Sequence, residues 1–142
     1  MSVRAILNEK GRNVVTVGSQ MTIRQAAKFL NENHIGAVVI VDTGDKIGGI
    51  LTERDIVAAV AQHGPEGLEK PVASVMWSNV FRCGEDTTIE DLMAMMSSKR
   101  ARHIVVEKDG HLAGIISIGD VVKSHIRAIE QEAAHIKAYI AG

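Results

Sequence analysis

The chain states one pattern twice. Gly48-Gly49-Ile50-Leu51-Thr52-Glu53-Arg54-Asp55 returns as Ala113-Gly114-Ile115-Ile116-Ser117-Ile118-Gly119-Asp120, with Asp120 standing 65 positions after Asp55. An internal repeat restricts the fold to two copies of one unit, each too short to bury its own hydrophobic face alone. The repeat runs further. Val14-Val15-Thr16-Val17-Gly18 matches Val80-Phe81-Arg82-Cys83-Gly84, Thr22-Ile23 matches Thr88-Ile89, Ile40 matches Val106 and Gly44 matches Gly110, all offset by 66. A prelude repeats at offset 69, Val3-Arg4-Ala5-Ile6-Leu7 against Val72-Ala73-Ser74-Val75-Met76.

Each half reads as β-α-β-β-α. In the first, Val14–Val17 is β-branched and reads as a strand. Thr22 with Gln25 three residues on forms a capping box, and Ala26, Ala27, Leu30 and Ile35 supply the apolar face of the helix that follows. The unbroken run Ala37–Val41 reads as a strand buried on both faces. Asp42-Thr43-Gly44-Asp45 is a turn, Ile47–Leu51 the returning strand and Glu53–Ala61 a second helix. The second half predicts strand 80–82, helix 88–98, strand 104–107, an Asp109-Gly110 hairpin, strand 112–116 and a helix from Ile118. Repeat one therefore spans 3–61 and repeat two 72–126. A linker covering 62–71 holds both prolines, and residues 127–142 extend the last helix. The expected fold class is α/β (α+β), with the two halves packed sheet to sheet about a pseudo-two-fold axis.

Composition narrows the class. Hydrophobic residues make up 46% of the 142 and aromatics 3%, so the core is aliphatic. A net charge of −1 offers no broad basic surface for nucleic acid or an anionic membrane. No apolar run approaches the roughly 20 residues of a membrane span. The lone Cys83 fits a reducing compartment, and a cytoplasmic location is expected. Six scattered histidines lack metal-site spacing, so no metal is expected. No nucleophile–base set is apparent, so the chain is not expected to be an enzyme. Cys83 aligns with Val17 on a strand and reads as a small buried apolar residue.

Strand, helix, two strands, Gly-Ile-x-Thr/Ser-x-x-Asp and helix, repeated once, resembles a tandem pair of cystathionine β-synthase (CBS) domains of the stand-alone bacterial type. The Val-Ala-Ser-Val-Met opening of half two and the Arg102-His103 pair before its second strand resemble the family too. The resemblance implies a regulatory module that binds an adenosine nucleotide between the repeats and dimerises into a flat disc. AMP comes first, with ADP, ATP, NAD(H) and S-adenosylmethionine as alternatives. Such a module senses energy or redox state and signals to an unidentified partner protein.

By that resemblance Thr52, Asp55, Ser117 and Asp120 are ribose-binding candidates, since a carboxylate can accept from both hydroxyls of a vicinal diol. Each pair also sits where a strand turns into a helix, where Thr or Ser and Asp serve equally as caps. Arg54, Arg102 and His103 are phosphate candidates. The positions matching Arg102 and His103 in half one are the uncharged Gly36 and Ala37, so unequal clefts are expected. Lys99 and Arg100 read as solvated cations favoured by a helix C-terminus. The adenine pocket is assigned by analogy to Val14, Val15, Ile35, Gly36, Ala37, Val80, Phe81 and Ile104. The competing reading is a ligand-free structural or redox-partner protein in which both aspartates only cap. From Ile118 to Ile140 apolar residues recur every three or four positions, a stripe suited to self-association.

Overall fold

A computed structural model describes residues 1–44 and 46–141; the last residue of the turn expected at 42–45 lies outside them. The elements are α1 (Val3–Lys10), β1 (Thr16–Gly18), α2 (Ile23–Asn33), β2 (Ala37–Asp42), β3 (Lys46–Thr52), α3 (Glu53–His63), β4 (Arg82–Cys83), α4 (Ile89–Lys99), β5 (His103–Lys108), β6 (His111–Ser117) and α5 (Ile118–Ala141). Three-stranded sheets β1-β2-β3 and β4-β5-β6 each combine one parallel and one antiparallel pairing. Each carries a register irregularity at the same place, Ile40/Val41 and Val106/Glu107. The fold is thus the expected mixed α/β pair.

Local signals act where the sequence places them. The Thr22 hydroxyl accepts from the Gln25 amide at 3.2 Å and the Gln25 side chain accepts from the Thr22 amide at 3.0 Å. Thr88 caps α4 through the Asp91 amide. Asp109 and Gly110 both adopt positive φ, 53° and 79°, as a tight hairpin requires. Strands β1 and β4 start two residues later than their β-branched content suggests. Val14, Val15, Val80 and Phe81 lead into them instead.

The two repeats exchange their preludes. α1 packs on half two: Val3, Ile6 and Leu7 share a core with Ile89, Leu92, Met96, Ile104, Val106, Ile116 and Val121. The second prelude packs on half one, where Val72 joins Val17, Ile23, Ala26, Leu30, Val38, Ile40, Leu51 and Ala59. Backbone hydrogen bonds mirror the exchange. Val3 donates to Thr87 and Arg4 to Glu85, while Val72 donates to Met21 and Ala73 to Ser19. The sequence halves are therefore not the packing units.

The repeated glycine explains how the preludes fit. A Cβ at Gly49 would lie 2.7 Å from Met76 Sδ and 2.9 Å from the Trp77 carbonyl oxygen; a Cβ at Gly114 would lie 2.7 Å from Leu7 Cδ2. Leu7 and Met76 are themselves equivalent in the repeat, so each glycine seats the same side chain of the exchanged segment. Val39, Ile50 and Val105 belong to neither helix-side core yet are buried, on the strand faces opposite Val38, Ile40, Leu51, Ile104 and Val106.

The segment between the halves is not an open tether. It forms a 3-10 helix over Gly64–Glu69, with Leu68 packed on the core of half one and Gly67 buried against α3. The last helix runs unbroken for 24 residues. No helix of the described residues is long and apolar enough to cross a membrane.

Candidate nucleotide cleft

Strand pairing builds the site. β3 ends at Thr52 opposite Ala37, and α3 starts at once, its first amide (Glu53) donating to the Gly36 carbonyl at 3.1 Å. In half two, Ser117 lies opposite His103 and the Ile118 amide donates to the Arg102 carbonyl at 2.8 Å. Each strand-to-helix junction is thus pinned to the residue before the second strand of its own repeat.

The capping role of both aspartates is present. Asp55 Oδ2 accepts from the Thr52 amide at 2.9 Å and the Thr52 hydroxyl at 3.1 Å. Asp120 Oδ2 accepts from the Ser117 amide at 2.8 Å, and the Asp120 amide donates to Ser117 Oγ at 3.2 Å. In each case only Oδ2 is engaged among the described residues, and the second carboxylate oxygen retains accepting capacity.

A cleft of about 400 Å³ opens beside the first junction, lined by Gly36, Ile50, Thr52, Glu53, Arg54 and Asp55 of half one together with Trp77, Phe81 and the run Lys99 to His103. Its volume falls in the roughly 300–1,000 Å³ range of small-molecule sites. The candidates Thr52, Asp55, Arg54, Arg102, His103, Gly36 and Phe81 therefore meet in one place. The carboxylate comes from half one and most of the cations from half two. Ser117 and Asp120 lie outside this cleft.

The other adenine candidates do not line it. Ile104 is fully buried in the core of half two and Ala37 is 8% exposed on its strand. Val15 and Ile35 pack on the core of half one. Val14 and Val80 are half-buried at strand entries and also lie outside the lining. Aliphatic side chains at these positions are drawn to the core because burial there removes more apolar surface from water.

Lys99 and Arg100 also line the cleft, while both stay exposed at the C-terminal end of α4, as their reading as solvated cations expects. Arg100 takes a left-handed conformation (φ 52°) that ends α4 and turns the chain along the cleft, and Lys99 Nζ sits 5.9 Å from the centre of the Phe81 ring. Their proximity to Arg102 in sequence was the available signal; that α4 ends at the cleft mouth is a tertiary fact.

His103 stands between the two junctions. Burial lowers its pKa from the ordinary histidine value; Asp120 and Glu53 pull it up, Lys10 and Arg102 push it down, and burial wins. Burial pushes the Asp120 carboxyl up, but hydrogen bonds from Lys10 and Ser117 and the Lys10 charge outweigh it, leaving the group below its ordinary value. Burial raises the Cys83 thiol to about 11, so it stays protonated and unreactive at neutral pH. Among the described residues no group of three or more His, Cys, Asp or Glu is placed to hold a metal ion.

The fold has counterparts among known proteins. A crystal structure of a CBS-domain containing protein from Agrobacterium tumefaciens is 48% identical, with a TM-score of 0.86 over 88% of this chain and 99% of that one. The CBS domain pair of protein MJ0100, solved with 5′-methylthioadenosine and S-adenosyl-L-methionine, is 28% identical, with a TM-score of 0.79 over 88% of this chain and 95% of that one. The mitochondrial CBS domain-containing protein CBSX3 of Arabidopsis thaliana is 31% identical over 125 residues, 85% of this chain and 61% of that relative, so the chain spans under two thirds of its length. The CBS domain family model matches residues 3–62 and again 72–126, and the chain belongs to the CBS domain family as a tandem pair.

Proposed function

We propose that the chain is a regulatory module that binds one phosphate-bearing adenosine nucleotide in the 400 Å³ cleft and reports its occupancy to a partner protein. The observation that carries this is the convergence of Thr52, Arg54 and Asp55 from one repeat with Lys99, Arg100, Arg102 and His103 from the other around one cavity. The free oxygen of Asp55 takes a ribose hydroxyl, the cations take phosphate and the apolar sides of Ile50 and Phe81 take the base. The ligand touches both repeats, so it favours the arrangement in which they are clamped together, and that differential affinity is what a partner reads.

The solved relative with 5′-methylthioadenosine and S-adenosyl-L-methionine supports an adenosine-based ligand. The surplus of cations here favours AMP, ADP, ATP or NAD(H) over those two, since neither carries phosphate. The module works as a homodimer. Val57 of α3 and its repeat equivalent Val122 of α5 are 67% and 50% exposed, and Ile126, Ile129, Ile136 and Ile140 extend the apolar stripe along α5. A second copy covering that stripe removes a surface otherwise prone to nonspecific association. The chain carries no catalysis of its own.

A thermal-shift panel with AMP, ADP, ATP, NAD⁺, S-adenosylmethionine and 5′-methylthioadenosine tests the reading. A ligand at a hundredfold excess over Kd stabilises the folded state by about 2.7 kcal/mol. The phosphate-bearing members should raise Tm, and Asp55→Ala and Arg102→Ala should each remove the shift while leaving the far-UV CD spectrum intact. No shift with any adenosine compound, or a shift indifferent to both substitutions, overturns it.

A further inference from the structure

The two ribose candidates differ in one respect that the repeat does not foreshadow. Lys10, the last residue of α1, donates from Nζ to Asp120 Oδ2 at 2.7 Å and to the Ile115 carbonyl at 2.8 Å. The carboxylate is 19% exposed and the lysine side chain 32% exposed, so the pair sits partly out of water, where a charge-assisted hydrogen bond is stronger than on the open surface. α1 cannot drift away, because Val3 and Leu7 are fully buried in the core of half two. At the offset that matches Leu7 to Met76, Lys10 matches Asn79, a neutral residue whose carbonyl accepts from Trp77 Nε1. The equivalent of Ile115 is Ile50, whose carbonyl accepts from the Trp77 amide at 2.9 Å. Half one therefore satisfies the same strand carbonyl with backbone, and among the described residues no cation pairs with its carboxylate; half two satisfies both with one ammonium.

We infer that Lys10 is a built-in occupant of the second ribose position, which makes this tandem pair a one-nucleotide module. Lys10 determines stoichiometry: its ammonium neutralises Asp120 through Oδ2, so a diol approaching the other oxygen must compete with a cation held at high local concentration by a buried helix, whereas among the described residues no cation pairs with Asp55. The inference rests on the ribose reading of Asp55 and adds that its repeat partner is closed. The residues of half one matching Arg100 to His103 are His34, Ile35, Gly36 and Ala37, so a second cleft opened by removing the ammonium would suit a neutral nucleoside rather than a polyphosphate.

Calorimetry on the full chain tests this. The protein is first saturated with ATP and then titrated with 5′-methylthioadenosine, which carries the diol but no phosphate. Wild type should take up one ATP per chain and then give no further heat. Lys10→Met, which keeps the aliphatic stem and removes the charge, should take up one further equivalent of nucleoside. Lys10→Met/Asp120→Asn should weaken that second event at least tenfold, and Lys10→Gln serves if methionine disturbs packing. A wild-type chain that binds nucleoside in an Asp120-dependent way overturns the inference, as does a Lys10→Met chain that stays at one ligand. Failure of ATP to bind wild type counts against the nucleotide reading instead. The Lys10 pairing is then decided by the Asp120 carboxyl signal in an NMR pH titration: it should move to higher pH in Lys10→Met, and an unchanged midpoint overturns the assignment.

Discussion

Replacing Leu7 with alanine tests the exchange of preludes that holds the site together. Leu7 is fully buried, yet it lies on a short N-terminal helix of eight residues that in isolation would be marginal. Were α1 a loosely attached leader, the substitution would cost no more than the roughly 0.5 kcal/mol of a surface change. Seated in the core of half two, it should cost about 3 kcal/mol, within the 2–5 found for buried Leu→Ala. At about 4 °C per kcal/mol for a domain near this size, Tm should fall by about 12 °C. The partner substitution sharpens the test. Gly114→Ala places a methyl 2.7 and 3.1 Å from Leu7 Cδ2 and Cδ1, an overpacking that costs about 1–3 kcal/mol. Leu7→Ala deletes those two carbons, so the double variant has room for the added methyl. Urea unfolding followed by far-UV CD and by Trp77 fluorescence should give a double-variant loss at least about 1 kcal/mol smaller than the two single losses together. Additivity within about 0.5 kcal/mol would refute the seating of Leu7 on Gly114, and with it the placement of α1 that brings Lys10 to Asp120.

Four further outcomes are expected. A Cβ at Gly67 would lie 2.6 Å from the Ala59 carbonyl oxygen of α3, backbone that cannot step aside as a side chain can, so Gly67→Ala should destabilise by about 1–3 kcal/mol while Gly18→Ala, with nothing within 4 Å, stays near neutral in the same melts. The His103 pKa lies below its ordinary value, so the unfolded chain takes the proton first; stability should fall as pH drops below about 6.5, the loss being complete once the pH lies below the folded-state pKa. Phosphate bound beside His103, which also faces Asp120, Glu53, Lys10 and Arg102, should favour the imidazolium; ATP binding should then take up a proton and tighten between pH 7 and 6, measurable by calorimetry in buffers of different ionisation enthalpy. Ile129 and Ile136 are 53% and 55% exposed on α5; on the homodimer proposed above, Ile136→Glu should shift sedimentation from dimer to monomer with its CD spectrum unchanged.

Much of the architecture was legible without coordinates because short-range rules dominate it. Thr22-Gln25, Thr88-Asp91 and Asp109-Gly110 act through neighbours three residues away or fewer, and the burial of Ala37 to Ile40 follows from an unbroken apolar run. The repeat itself announced two like sheets and two like junctions, and the missing cations at Gly36 and Ala37 led to the expectation of unequal clefts.

What the tertiary structure alone decided is which half supplies what. Periodicity records how a segment buries its own face, but not which neighbour fills the other side; hence the preludes could be seen to repeat without any sign that Val3 and Leu7 belong to half two and Val72 and Met76 to half one. The same limit kept Lys99 and Arg100 looking like an ordinary helix end until the halves were packed and their turn became a cleft wall. It also hid Lys10, which meets Asp120 across 110 positions of sequence. Thr52-x-x-Asp55 and Ser117-x-x-Asp120 are near-identical as local motifs. Among the described residues they differ in that the chain folds the Lys10 ammonium onto the second carboxylate, Asp120.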